Sequence, residues 1–160
     1  IKYYDYWGIN MKRLGMIVSV NISEKKGVVK IPIESGNFIT QHGLENDAHA
    51  GNWNRQVSLL AKESIDKMIK RGAKDLTYGK FAENLTTQGL VLYELKIGTR
   101  LIIGETIQEV TQIGKVCHNG CEIKRLVGEC IMPKEGIFTR VIKGGFISNG
   151  DLIYLGETNL

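Results

Sequence analysis

The sequence predicts a mainly β chain with a few short helices (α+β), closed or nearly closed into a β-barrel. Three observations lead there. Nineteen glycines stand against two prolines, a composition that suits many tight turns between short strands. Apolar runs of strand length recur along most of the chain. The run from Gly98 to Glu105 (GTRLIIGE) also resembles the run from Gly150 to Glu157 (GDLIYLGE). Two copies are too few for a repeat array, but similar turn–strand–turn corners are what a barrel needs, and closure hides strand edges.

The elements follow in order. Residues 1–10 precede Met11 and are set aside as an added leader or upstream extension, leaving residues 11–160 as one domain. Leu14 to Ile22 alternates as a first strand, and Val28 to Ile33 as a second, with Pro32 suited to an edge or strand end. Gln41 to Asn54 is polar and without period, a loop long enough to expect function from it. Gln56 to Leu60 reads as a short buried strand. From Ala61 the period changes: Ile65, Met68 and Ile69 fall at helical spacing until Gly72. Gly79 opens a turn into a further strand near Leu85. Leu90–Leu95, Arg100–Ile103, Thr106–Ile113, Ile137–Ile142 and Leu152–Leu155 complete the strands, and Glu122 to Val127 is expected to be a short helix.

The bulk numbers exclude several classes. At 160 residues one domain can bury roughly two-thirds of its unfolded surface. A net charge of +4 with dispersed Lys and Arg is no nucleic-acid footprint. The densest basic stretch, Lys67 to Lys74, reads as a solvated helix face. No apolar run approaches the length of a membrane span. Three cysteines without a secretory signal argue against a disulfide framework, and a cytoplasmic location is expected.

Chemistry concentrates in the segment from Gly114 to Cys121. A thiol is nucleophilic or metal-binding only as thiolate, and flanking cations favour that form. Cys117 has Lys115 and His118 beside it, and a helix starting near Asn119 would add partial positive charge. The plain alternative is that Cys117 is a small buried apolar residue. A second alternative is a zinc site on Cys117, His118, Cys121 and Cys130, although the spacing lacks paired C-x2-C knuckles. Cys121 otherwise suits a resolving partner, and Cys130, beside Ile131 and Met132, suits the core. The loop from Gly43 to Gly51 with Trp53, Arg55 and Gln56 is the second feature. His49 can donate or coordinate, and the fork of Arg55 matches phosphate oxygens, unless Arg55 instead pairs with a carboxylate such as Glu83. The third feature is Gly79 to Leu85, where Asn84 is a candidate ligand-binding residue and Glu83 reads as structural.

Taken in this order, the segments from Gly43 to Gly51, Arg55 to Leu60, Phe81 to Leu85, the lone Cys117, and the closing Gly136 to Val141, Gly144-Gly145 and Asn149 to Asp151 resemble the MOSC domain. That family is named for the C-terminal domain of molybdenum-cofactor sulfurases, and the likeness is to its stand-alone bacterial type. It extends over nearly everything from Met11. Asn46 and Ala82 stand where the family commonly has Gly, and Asn46 is expected in a left-handed backbone conformation.

The resemblance implies a strand-rich barrel with an open cleft. It also implies a molybdenum-cofactor-binding or sulfur-carrier role, in which Cys117 accepts sulfur as a persulfide or ligates molybdenum. His49, Arg55, Asn84, Lys115, His118 and Arg140 would surround the cofactor. Some relatives instead reduce N-hydroxylated compounds with the bound cofactor; a non-catalytic module with a Cys/His zinc site is the other alternative. Pyridoxal phosphate is not expected on this chain, so a cysteine desulfurase would act as sulfur donor and a molybdoenzyme or cofactor-biosynthesis protein as acceptor. Neither nucleic acid nor a membrane is an expected partner, and the oligomeric state is left open.

Overall fold

The computed structural model describes residues 2–4, 10–116 and 130–156. Seven strands close on themselves: β2 (Asn10–Ile22), β12 (Leu152–Leu155), β8 (Arg100–Ile103), β9 (Thr106–Ile113), β10 (Ile137–Lys143), β6 (Val57–Ala61) and β7 (Leu85–Gln88), with β7 returning to β2. Every joint in this ring is antiparallel except β6 with β7. The predicted barrel is therefore observed. β1 (Lys2–Tyr4) and β3 (Ile31–Ile33) add to β2 outside the ring, so the segment preceding Met11 contributes a strand. A small second sheet joins β4 (Ser35–Ile39), β5 (Gly43–Leu44) and β11 (Gly145–Ser148).

The repeated GTRLIIGE and GDLIYLGE runs become neighbours. Their strands, β8 and β12, pair antiparallel, with Ile103 opposite Ile153 and Leu101 opposite Leu155.

β6 is buried at all five positions, because both of its faces are covered. Leu59 points into the barrel core with Ile17, Leu85, Ile103, Val110 and Ile153. Leu60 points the other way, into a second cluster with Ile65, Met68, Phe81, Met132 and Phe138. Alternation of side chains along a strand places one residue in each core. Helix α1 (Lys62–Lys70) supplies Ile65 and Met68 to that outer cluster, while Ile69, at the same apolar spacing, is exposed. A short helix α2 (Met132–Glu135) follows the last undescribed internal segment, with Pro133 in its first turn, where a missing N–H costs nothing.

Two expectations need correction. Leu90 to Leu95 is not a strand. Leu92–Glu94 forms a 3-10 turn, closed by Leu95 N–H donating to the Leu92 carbonyl at 3.0 Å. Leu92 and Leu95 are three apart, so a 3-10 turn puts both against the core where a strand would split them across two faces. The 41–54 stretch is not wholly a loop, since Gly43–Leu44 pairs with Phe38–Ile39. The expected helix from Glu122 to Val127 lies outside the described residues.

Candidate functional site

The loop after β5 and the turn before β3 meet around one buried lysine. The Lys30 side chain has no exposed surface, and its Nζ lies 2.8 Å from Asp47 Oδ1, 3.0 Å from Ser23 Oγ and 3.0 Å from His49 Nδ1. Asp47, equally buried, also accepts from the backbone N–H of Ser23 at Oδ1 and of His49 at Oδ2. Burial opposes ionisation of Asp47, but the Lys30 ammonium and these N–H donors outweigh it and hold the carboxyl below its ordinary value. Burial lowers Lys30 from its ordinary value, with Asp47 offsetting part of the effect.

His49 is half-buried, and its pKa is pushed down to about 4 by burial first and by Lys30 second, with Lys115 and Lys26 adding to the effect. The imidazole is therefore neutral at physiological pH. The carbonyl of His49 accepts from Trp53 Nε1 at 2.9 Å. Over the Trp53 ring lie the guanidinium of Arg55, 4.5 Å from its centroid, and the ammonium of Lys26, at 5.6 Å. Arg55 also sits 5.6 Å from the Phe138 ring, so two aromatic faces hold its planar group. The alternative considered for Arg55, a pairing with Glu83, does not form. Glu83 is fully buried elsewhere, accepting from Phe81 N–H and hydrogen-bonded to Thr86.

His49, Arg55, Lys26 and Lys115 thus form one cationic neighbourhood, with Arg55 and Lys26 over the Trp53 ring and the charges of Lys115 and Lys26 bearing on His49; the sequence did not single out Lys26. Lys115 lies two positions before Cys117, and its charge is felt at both Lys30 and His49. Asn84 is fully buried. Its Oδ1 accepts from Ser58 N–H at 3.1 Å and its Nδ2 donates to the Asn21 carbonyl at 3.3 Å, so its amide ties β6 to β2. Arg140 pairs with Glu109 at 3.0 Å and borders an open surface pocket with Trp53, Asn54 and Ile97. Cys117, His118 and Cys121 lie outside the described residues, and Cys130 is half-buried against the outer cluster. Among the described residues no three His, Cys, Asp or Glu side chains converge as a metal site, and no helix is long and apolar enough to cross a membrane.

The buried Lys30–Asp47 pair beside His49 was not singled out from the sequence. Asp47 stood inside the loop motif, and Lys30 lay within the expected Val28 to Ile33 strand with nothing in the sequence to mark it. Only its burial reveals it.

A closed, mostly antiparallel barrel whose loops gather cations around the Trp53 ring is the class that fold and site define. Residues 46–154 match the family model of the MOSC domain, and the chain belongs to that family. MOSC domains are associated, as a family, with the molybdenum cofactor. Among solved structures the fold is similar to the YuaD protein from Bacillus subtilis, with a TM-score of 0.75 at 18% identity over 92% of this chain and 100% of that one. It is also similar to YiiM from Geobacillus stearothermophilus, with a TM-score of 0.71 at 22% identity over 91% of this chain and 77% of that one. YiiM from Escherichia coli gives a TM-score of 0.67 at 20% identity, over 89% and 70% of the two chains. No curated protein matches the sequence.

The donor set suits the anionic parts of a molybdenum cofactor. A stacked guanidinium, two ammonium groups and a neutral imidazole are the groups that bind phosphate or metal-oxo oxygens.

Proposed function

We propose that this chain is a molybdenum-cofactor-binding or sulfur-carrier domain that works through Cys117. The observation that supports this most directly is the position of Lys115. It belongs to the same electrostatic neighbourhood as His49 and Lys30, and it precedes the cysteine by two residues. Positive charge near a thiol raises its thiolate character, and Lys115 is such a charge close to Cys117 in sequence.

In the carrier role, the Cys117 thiolate attacks the terminal sulfur of a persulfide on a partner desulfurase. A new S–S bond forms on Cys117 as the desulfurase's own S–S bond breaks, and the desulfurase cysteine leaves as thiolate. The transferred sulfur keeps its oxidation state, so no outside oxidant or reductant is required. In the cofactor-binding role, Arg55, Lys26 and Lys115 would hold the anionic groups and His49 would donate a hydrogen bond. The cofactor, when bound, supplies a thiophilic metal that takes thiolate ligands.

Intact-mass measurement tests the carrier reading. After incubation with a cysteine desulfurase and cysteine, the chain is expected to gain one sulfur, and the Cys117→Ser variant none. Equal sulfur uptake by that variant would end the proposal. Molybdenum and pterin content after expression in a molybdenum-replete host separates the two roles.

A further inference from the structure

We infer that Lys30 is a positioning residue that holds His49 as its Nε2–H tautomer, making the imidazole a fixed neutral donor to an oxyanion drawn by the neighbouring cations. The argument is an inventory of protons. An ammonium donates three hydrogen bonds and accepts none. Lys30 Nζ has three neighbours within 3.0 Å: Asp47 Oδ1, Ser23 Oγ and His49 Nδ1. Ser23 spends its own hydroxyl proton on the Lys25 carbonyl, 3.1 Å away, so toward Lys30 it accepts. Asp47, held ionised, accepts as well. The third proton of Lys30 therefore goes to His49 Nδ1, which must be the unprotonated nitrogen, and the ring proton resides on Nε2.

The geometry allows no easy escape. Lys30 and Asp47 side chains are wholly buried. The His49 backbone is fixed at both ends of the peptide, its N–H donating to Asp47 Oδ2 and its carbonyl accepting from Trp53. Asp47 Oδ2 lies 4.0 Å from Nδ1, too far to displace Lys30 as its partner. The charges that face the ring are Lys30, Asp47, Lys115 and Lys26, three cations against one anion, so protonation to imidazolium is opposed. Among the described residues Nε2 has no hydrogen-bond partner, and the His49 side chain is 29% exposed, on the loop whose Trp53 carries Arg55 and Lys26 over its ring.

The consequence is a division of labour. Long-range attraction comes from Arg55, Lys26 and Lys115, while His49 contributes one directional hydrogen bond whose strength does not change between pH 5.5 and about 8. The site accordingly selects an oxygen acceptor, such as a phosphate or metal-oxo group, over a ligand that must donate a proton there. This ligand half rests on the cofactor-cleft reading above; the tautomer half does not.

Nitrogen-15 NMR of the imidazoles in the full chain tests both halves, with a His49→Gln variant to assign the resonance. The expected result is an unprotonated Nδ1, a protonated Nε2 and no titration between pH 8 and 5.5. In Lys30→Met, which removes the second cause of the depression and leaves burial in place, the titration midpoint is expected to rise from about 4 without reaching the ordinary histidine value of about 6.5. Sulfate, whose charge is constant over this range, is expected to shift the Nε2–H proton of the wild-type chain. A protonated Nδ1, or a wild-type midpoint near 6.5, overturns the positioning role without recourse to the variant, should Lys30→Met fail to fold. A correct tautomer that sulfate leaves unmoved overturns the ligand role alone, and with it weakens the cleft reading.

Discussion

The guanidinium of Arg55 lies 4.5 Å from the centre of the Trp53 ring, and the indole N–H of Trp53 donates to the carbonyl of His49. One aromatic side chain thus orients a cation and braces the loop that carries the neutral donor. Stacking of this kind contributes about 0.5–2 kcal/mol depending on desolvation. Arg55→Lys keeps the charge but loses the planar stack, and is expected to weaken molybdate binding several-fold by isothermal titration. Arg55→Ala should weaken it by about tenfold or more, with a shallower dependence on salt.

Gly79 approaches the backbone of Lys30 closely. Its φ is +90°, its carbonyl accepts from Lys30 N–H at 2.8 Å, and a Cβ here would overlap the Lys30 carbonyl. Gly79→Ala combines left-handed strain with a backbone clash, and is expected to cost about 2–3 kcal/mol. That is a melting temperature lower by roughly 5–10 °C. Because the displaced residue is Lys30, the same variant should also move the His49 resonances.

Glu83 and His49 drive stability in opposite directions with pH. Burial raises Glu83 from an ordinary 4.5 to about 7, so the folded state holds the extra proton between those values. Stability from Glu83 is then lost as pH rises from about 4.5 to 7, by roughly 3 kcal/mol. His49 falls from 6.5 to about 4, so there the unfolded state binds the extra proton, and stability is lost as pH falls from about 6.5 to 4. The two slopes overlap and flatten the wild-type profile. In chemical denaturation, Glu83→Gln should leave a profile that climbs with pH, and His49→Gln one that declines.

Asn84 is fully buried and ties polar groups of β6 and β2 together. Its Oδ1 accepts from Ser58 N–H and its Nδ2 donates to the Asn21 carbonyl, while Asn21 Nδ2 in turn donates to the Glu83 carbonyl. Asn84→Ala strands buried donors and acceptors and is expected to cost about 2–4 kcal/mol. Molybdate affinity measured on the folded fraction should change by less than twofold; a large specific loss of affinity would assign Asn84 to the ligand after all.

Much of the barrel was legible in the chain. Arg100–Ile103, Thr106–Ile113 and Leu152–Leu155 match their observed strands at both ends, because each is an apolar run bounded by turns. The strands β4, β5 and β11 were not anticipated. Ser35–Ile39 and Gly145–Ser148 carry glycine and polar residues, and it is their pairing with one another, across more than a hundred residues of sequence, that makes them strands. The left-handed conformation expected at Asn46 is present, with φ at 67°, and Ala82, the other position where the family commonly has Gly, is also left-handed at 61°.

The sequence by itself determined the strand-rich class, the helix between Ala61 and Gly72, and the family, and it singled out the His49–Arg55 loop. These depend on periodicity, turn residues and ordered motifs, which are local properties of the chain. Only the tertiary structure decided that Lys30 reaches Asp47 and His49, that Arg55 stacks on aromatic rings instead of meeting Glu83, and that Glu83 is fully buried. Each of those depends on which distant segments exclude water from a side chain, and desolvation belongs to the packed molecule, with no counterpart in the order of residues.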